Sequence, residues 1–209
     1  MDLSNHRIVD LSLEIVPNAG GERPFYTQPG RLSDNALRYD VQTHTHVGTH
    51  VESPGHFFER PPWITDLPVE SYIVRGVLAP IALQPPDLAI TPEYLEQVCG
   101  DLLSPGDALI CRNDGDMEMS RMPYFTPDAA RWIKGRKPGI FAFDALRLGL
   151  TMQEGLDFHE ILMEDGVLFV EFLDNLHELR KREFTFMALP IRIRDIDSSW
   201  VRAIAIEEK

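Results

Sequence analysis

His44-Thr-His46-Val-Gly48-Thr49-His50-Val-Glu52-Ser53-Pro54-Gly55-His56-Phe57 is the stretch that decides how this 209-residue chain reads, because it holds four of the seven histidines. Neutral imidazole is the commonest protein ligand for a transition metal, so a cluster this dense points to a metal site. His46, His50, Glu52 and His56 occupy even positions, which share one face of an extended strand. Pro54 and the glycines argue against a regular helix, although His46 and His50 alone also have the spacing that shares a helix face. The stretch therefore predicts a strand that kinks near Gly48-Thr49 and leaves its sheet near Pro54, turning several donors onto one cation. Buried imidazoles and a carboxylate crowded on one face are costly without such a compensating charge. His44 and His6, taken singly, read as hydrogen-bonded half-buried side chains.

Outward from the motif, strand patterns dominate. Arg7 to Leu13, Leu37 to His46, Ile73 to Leu83 and Ala108 to Arg112 are rich in β-favouring or apolar residues and bounded by Pro, Gly and Asp. Thr91-Pro92-Glu93 and Thr126-Pro127-Asp128 each set a capping hydroxyl before a first-turn proline and an acid, which starts a helix. Gly100 and Gly135 mark the corresponding ends. Beyond them come a buried strand over Gly139 to Phe143, a short helix over Asp157 to Glu164 and a buried strand over Val167 to Phe172. The last two strands are Thr185 to Arg194 and Trp200 to Ile206, with Ile191-Arg192-Ile193-Arg194 alternating as a half-solvated strand does. The class is mixed α/β, a single strand-rich domain over 1–209, with no repeat or linker to divide it.

Composition narrows the partners. A formal net charge of −13 disfavours a phosphate-backbone partner, which draws on clustered Lys and Arg, so nucleic acid is excluded as an expectation. No apolar run approaches the ~20 residues needed to cross a bilayer, and the opening residues lack a basic-then-apolar pattern; no membrane partner and a cytoplasmic location are expected. Cys99 and Cys111 match neither a zinc knuckle nor a redox pair and read as small buried apolar residues. The chain has no Gly-x-Ser-x-Gly elbow, no phosphate-cradling Gly-x4-Gly-Lys-Ser/Thr loop and no His-Glu-x-x-His helix.

A second segment has a related composition. His159 falls on the short predicted helix and Glu171 at the end of the following buried strand, with the turn at Asp165-Gly166 able to fold both toward one site. A carboxylate after the apolar run Val167 to Val170 needs a partner if it is buried. Imidazoles combined with carboxylates suit zinc or manganese, whereas magnesium and calcium prefer oxygen ligands.

Together these segments carry a family resemblance. His46-x-Gly48-Thr49-His50-x-Glu52-x-Pro54-x-His56-Phe57 resembles the signature His-x-Gly-Thr-His-x-Asp-x-Pro-x-His-Phe of the metal-dependent hydrolases called the cyclase family, which includes bacterial kynurenine formamidases and isatin hydrolases. Glu52 stands where that family most often has Asp. Val9-Asp10-Leu11-Ser12, Pro105-Gly106-Asp107-Ala108, the pair His159 and Glu171, and Val201-Arg202-Ala203 are similar to further segments of the family in the same order, so nearly the whole chain is covered.

The resemblance implies a cyclase-family β/α fold and one or two divalent ions per chain. It assigns His46, His50 and Glu52 to one metal, His159 to a second and Glu171 to both, with His56 transferring protons. The residues alone leave His56 open as a further ligand. The resemblance also implies hydrolysis of an amide, cyclic amide or related carbonyl by metal-activated water, in a homodimer or homotetramer acting on a small molecule. A cyclising or dehydrating enzyme and a non-catalytic metal-binding sensor are the alternatives. Phe57, Trp63 and Tyr26 flank the motif as candidate walls for a planar substrate. Gln28-Pro29-Gly30 lacks the aromatic residue that kynurenine formamidases carry before their early Pro-Gly.

Overall fold

The apolar runs form the middle of an eight-stranded sheet in a computed structural model that describes residues 3–21 and 23–209. In chain order the strands are β1 (His6–Asp10), β2 (Tyr26–Arg31), β3 (Leu37–Gln42), β4 (His50–Glu52), β5 (Ile73–Ile81), β6 (Ala89–Ile90), β7 (Ala108–Asn113), β8 (Tyr124–Phe125), β9 (Ile140–Phe143), β10 (Leu168–Glu171), β11 (Glu183–Pro190) and β12 (Ser198–Glu208). The large sheet runs β1-β12-β11-β5-β7-β9-β10-β4, and β4 also pairs with the start of β12, which closes all but β1 into a barrel. β2 and β3 form a separate hairpin, and β6 and β8 a short parallel pair.

Parallel strands are covered on both faces, which is why β7, β9 and β10 read as unbroken apolar runs. Their side chains alternate between two cores. Ile110, Ile140, Ala142, Leu168 and Val170 join a cluster built from strands around the ring, the barrel interior. Leu109, Cys111, Phe141, Phe143 and Phe169 point the other way, into a cluster with Leu95, Ala129, Ile133, Phe158 and Leu162 of the helices. The same alternation orients the short β4: Val51 enters the barrel interior, so His50 and Glu52 face the helical layer.

The helices are α1 (Gly55–Phe58), α2 (Pro92–Leu95), α3 (Pro127–Arg136) and α4 (Met152–Met163), with α2 continuing as a wider turn to Gly100. Thr91 and Thr126 accept the expected capping bonds from Tyr94 and Ala129 N–H. α3 ends one residue past Gly135, with Lys137 in the left-handed region. α4 begins at Met152 rather than near Asp157, because Thr151 and Glu154 form a reciprocal capping box. Phe158 then pins α4 to the barrel through rings of Phe125, Phe141 and Phe169 at 5.1, 5.2 and 6.2 Å. Such pairs contribute about 0.5–1.5 kcal/mol each beyond their burial.

The strands predicted over Arg7 to Leu13 and Ile73 to Leu83 stop early, at Asp10 and Ile81, and two other expectations overrun further. The strand predicted over Leu37 to His46 stops at Gln42, so His46 lies on a turn while His50 and Glu52 lie on β4. The strand predicted over Thr185 to Arg194 stops at Pro190. There the Ile191 N–H donates to the Ser199 hydroxyl and the Ile193 N–H turns back to the Ile191 carbonyl, so the alternating Ile-Arg pairs belong to a loop. Among the described residues, no helix is long and apolar enough to cross a membrane.

Candidate metal centre

Each small residue of the motif has a local task. Gly48 sits at φ 65°, with Ile15 packed 2.7 Å from where a Cβ would stand, so a side chain there is excluded twice over. The Thr49 hydroxyl accepts the Leu13 N–H (2.7 Å) and donates to the Phe172 carbonyl (2.6 Å), fixing the residue that follows Glu171. Ser53 donates both its N–H and its hydroxyl to the Asp197 carbonyl, at 2.8 and 2.9 Å. Gly55 lies under the Trp63 ring, where a Cβ would come within 2.5 Å. This close approach starts α1 and delivers His56.

Three imidazoles are tied off at Nδ1 and present Nε2 to the carboxylates. His50 Nδ1 donates to the Gly48 carbonyl at 2.8 Å, leaving Nε2 at 3.1 Å from Glu52 Oε1 and 3.9 Å from Glu171 Oε2. His159 Nδ1 donates to the Gly155 carbonyl at 2.7 Å, and its Nε2 lies 3.3 Å from Glu171 Oε1. Its ring is held between Phe57 and Phe169, at 5.0 and 4.7 Å. His56 Nδ1 donates to Asp197 Oδ2 at 2.6 Å, with Nε2 4.0 Å from Glu52 Oε1. Anchoring one ring nitrogen so that the other can ligate is how metal-binding histidines are held.

His46 differs, since both its nitrogens meet carboxylates: Nδ1 to Glu52 Oε1 at 2.7 Å and Nε2 to Asp197 Oδ2 at 3.2 Å. Burial works against its charged form, yet the bonds to Asp197 and Glu52 prevail and raise its pKa to about 9. Burial pushes the Glu52 carboxyl up, but hydrogen bonds from His46 and His50 hold it well below the usual carboxylate range. Hydrogen bonds from His46 and His56 do the same for Asp197. His159 is also raised, the Glu171 bond outweighing its burial.

The donors form two overlapping groups whose ligand atoms lie within 4.8 Å of one another: His50, Glu52 and Glu171, and His46, Glu52 and His56. His159 stands outside both and reaches them through Glu171. Glu52 Oε2 is buried with no hydrogen-bond partner, a loss that a cation would remove. These residues fit a divalent metal ion. The sequence-based donors thus converge, with His159 on a helix and Glu171 at a strand end as expected, whereas the motif itself is divided among a turn (His46), β4 (His50 and Glu52) and α1 (His56) rather than lying along one bent strand.

Of the expected substrate walls, Phe57 packs against His159 and edge-on to His56. Trp63 is half-buried over Gly55, and Tyr26 is exposed on the β2–β3 hairpin. The rim beside His46 has other residues. Arg23 donates to the His46 carbonyl at 2.8 Å and lies 4.6 Å over the Phe172 ring, which stacks on His50. Trp200 donates to the His44 carbonyl. Asp197 was missed by the sequence reading; an acid beside two serines at the start of the last apolar strand was its only signal.

Residues 9–148 match the model of a family described as putative cyclase. The chain belongs to that family. Among its curated relatives, the kynurenine formamidase of Bordetella petrii is 23% identical over 171 residues, 80% of this chain and 79% of that protein. The kynurenine formamidase of Salinibacter ruber is 22% identical over 208 residues, 94% and 96% of the two chains. Isatin hydrolase A from Labrenzia aggregata, bound to benzyl benzoate, superposes with a TM-score of 0.79 at 20% identity, covering 98% of this chain and 95% of its own. An isatin hydrolase bound to the product analogue thioisatinate reaches 0.80 at 18% identity, with 98% and 94% covered. These structures share the barrel fold.

Proposed function

We propose that this cyclase-family protein is a metal-dependent hydrolase that opens an amide or cyclic amide of a small molecule. The observation that carries the reading is the convergence of anchored imidazoles on a buried carboxylate, Glu52, that has an oxygen without a partner. The kinship with kynurenine formamidases and the barrel shared with isatin hydrolases support it. His50, Glu52 and Glu171 would hold one ion, with His46 as a further ligand once it gives up a proton, and His159 would bear on a second through Glu171. Zinc or manganese suits this mixture of imidazole and carboxylate. A divalent ion held there would supply Lewis acidity, polarising a carbonyl and lowering the pKa of water toward neutrality.

The chain's own residues supply the proton path. His56 Nε2 is unencumbered and faces the cluster, so it takes a proton from the attacking water and delivers it to the leaving nitrogen. Phe57 packs between the imidazoles of His56 and His159, edge-on to the first and stacked on the second. We place the protein in the cytoplasm, where its free, buried cysteines Cys99 and Cys111 are at home. A homodimer or homotetramer is supported by the β2–β3 hairpin, which exposes Tyr26, Leu37, Tyr39 and Val41; sedimentation velocity would report it.

Chelator-stripped protein, assayed on formamides, lactams and lactones with and without added zinc or manganese, tests the reading. Turnover that returns with metal and yields the hydrated product by mass is expected. Full activity in a rigorously metal-free preparation contradicts it, and a dehydrated or cyclised product would move the reaction to another class.

A further inference from the structure

We propose that Asp197 is the positioning residue of the proton-transfer group, holding His56 in the tautomer whose Nε2 is free and aiming that nitrogen at the carboxylate cluster. Asp197 Oδ2 accepts the His56 Nδ1 proton at 2.6 Å, and the opposite nitrogen of the same ring lies 4.0 Å from Glu52 Oε1. A carboxylate accepts only, so in the neutral ring the proton sits on Nδ1 and the lone pair on Nε2. Without that acceptor the ring loses the bond that selects this tautomer, and the packing of the His46 and Phe57 rings against it does not distinguish its two nitrogens.

Asp197 is itself held rigidly. Its carbonyl receives both the N–H and the hydroxyl of Ser53, a residue fully buried between Glu52 and Pro54. The loop entering β12 is thereby clamped to the five-residue segment that carries Glu52 and His56. The neighbouring Ser198 hydroxyl, hydrogen-bonded to Thr45, lies 2.9 Å from His46 Nε2 and steadies the ring on the other side of the carboxylate. Base and orienter are joined as in other hydrolytic sites, where a carboxylate fixes the imidazole and stabilises the charge it acquires. As Nε2 takes the proton of the attacking water, the oxygen–carbon bond forms; as it returns that proton to nitrogen, the carbon–nitrogen bond breaks. The Nδ1 proton stays on His56, hydrogen-bonded to Asp197 Oδ2, throughout.

This assignment rests on the hydrolase reading for its kinetics and stands apart from it in its spectroscopy. The experiment combines three measurements on the full chain: metal content, 15N imidazole NMR with His56 assigned through His56→Gln, and kcat and KM on whichever panel amide is turned over. In the wild type, the neutral His56 ring must show a protonated Nδ1 and a bare Nε2; the reverse tautomer overturns the proposal without any variant. Asp197→Asn is expected to keep its metal and its KM within about twofold, lose kcat by about a hundredfold or more and lose the single-tautomer signal. Asp197→Glu should recover part of kcat. Loss of metal in Asp197→Asn would make Asp197 a ligand and overturn the proposal, as would a kcat within threefold of wild type. If the wild type hydrolyses no amide, the hydrolase reading falls while the NMR pattern still decides the role of Asp197.

Discussion

The two donor groups that share Glu52 lie at different depths. In the inner one the side chains of His50, Glu52 and Glu171 are 0, 3 and 10% exposed, and the His50 ring is tied to a main-chain carbonyl. In the outer one His46 and His56 are 23 and 32% exposed, and both rings are tied to the carboxylate of Asp197, 28% exposed, from a distant loop. Backbone anchors cannot change protonation, whereas a carboxylate anchor responds to the charge of the ring it holds. Depth thus separates the buried core of the ion site from the rim where His56 moves a proton, with Glu52 common to both and His46 between them.

Breaking the inner group has the largest expected effect. His50→Ala removes the buried nitrogen between Glu52 and Glu171, so bound metal should fall below detection by elemental analysis and turnover to that of chelator-treated protein. Retention of stoichiometric metal would erase the distinction between the groups. His56→Ala strikes the outer group: metal content is unchanged while kcat drops by about a hundredfold to ten-thousandfold, the range of a lost general acid–base. Equal losses of metal in both variants would make His56 a ligand.

A finer contrast comes from pH. In the metal-free protein His46 has a pKa raised to about 9 from 6.5, through Asp197 and Glu52 acting against burial. A raised folded pKa means that its stabilising contribution is fully present below 6.5 and disappears as pH climbs through 9. The thermal midpoint of metal-free wild type should therefore exceed that of His46→Gln at pH 6 and approach it by pH 9.5; a constant difference would show that His46 is not charged there. Metal uptake below pH 9 should release a proton, seen as buffer-dependent heats in titration calorimetry. The smallest effect is expected at Thr151→Ala, which unmakes the α4 capping box and costs about 1 kcal/mol. The thermal midpoint should drop by roughly 2–4 °C with metal content intact; loss of metal would mean that α4 holds His159 less independently than its Phe158 packing implies.

The same contrast governs what could be read from sequence. His50 and Glu52 of the inner group lie two positions apart on one strand face, so local spacing makes that pair legible, whereas Glu171 lies far along the chain and is joined to them in sequence only by the family resemblance. The buried parallel strands were legible because residues covered on both faces leave continuous apolar runs. Asp197 lies 141 residues from His56, and nothing in its surroundings records that barrel closure brings β12 beside β4. The Ile191 to Arg194 alternation mimicked a strand because periodicity cannot tell a ladder from a loop whose N–H groups find Ser199 and a turn. His46 appeared in line with His50 on one strand face; Gly48 at positive φ breaks that line and brings it round by a turn instead.

Anomalous diffraction from crystals grown with zinc or manganese measures the central claim most directly. The expected result is a peak within about 2.0–2.3 Å of His50 Nε2 and of Glu52 and Glu171 oxygens. A fully loaded crystal whose only peaks lie away from those three side chains would contradict it.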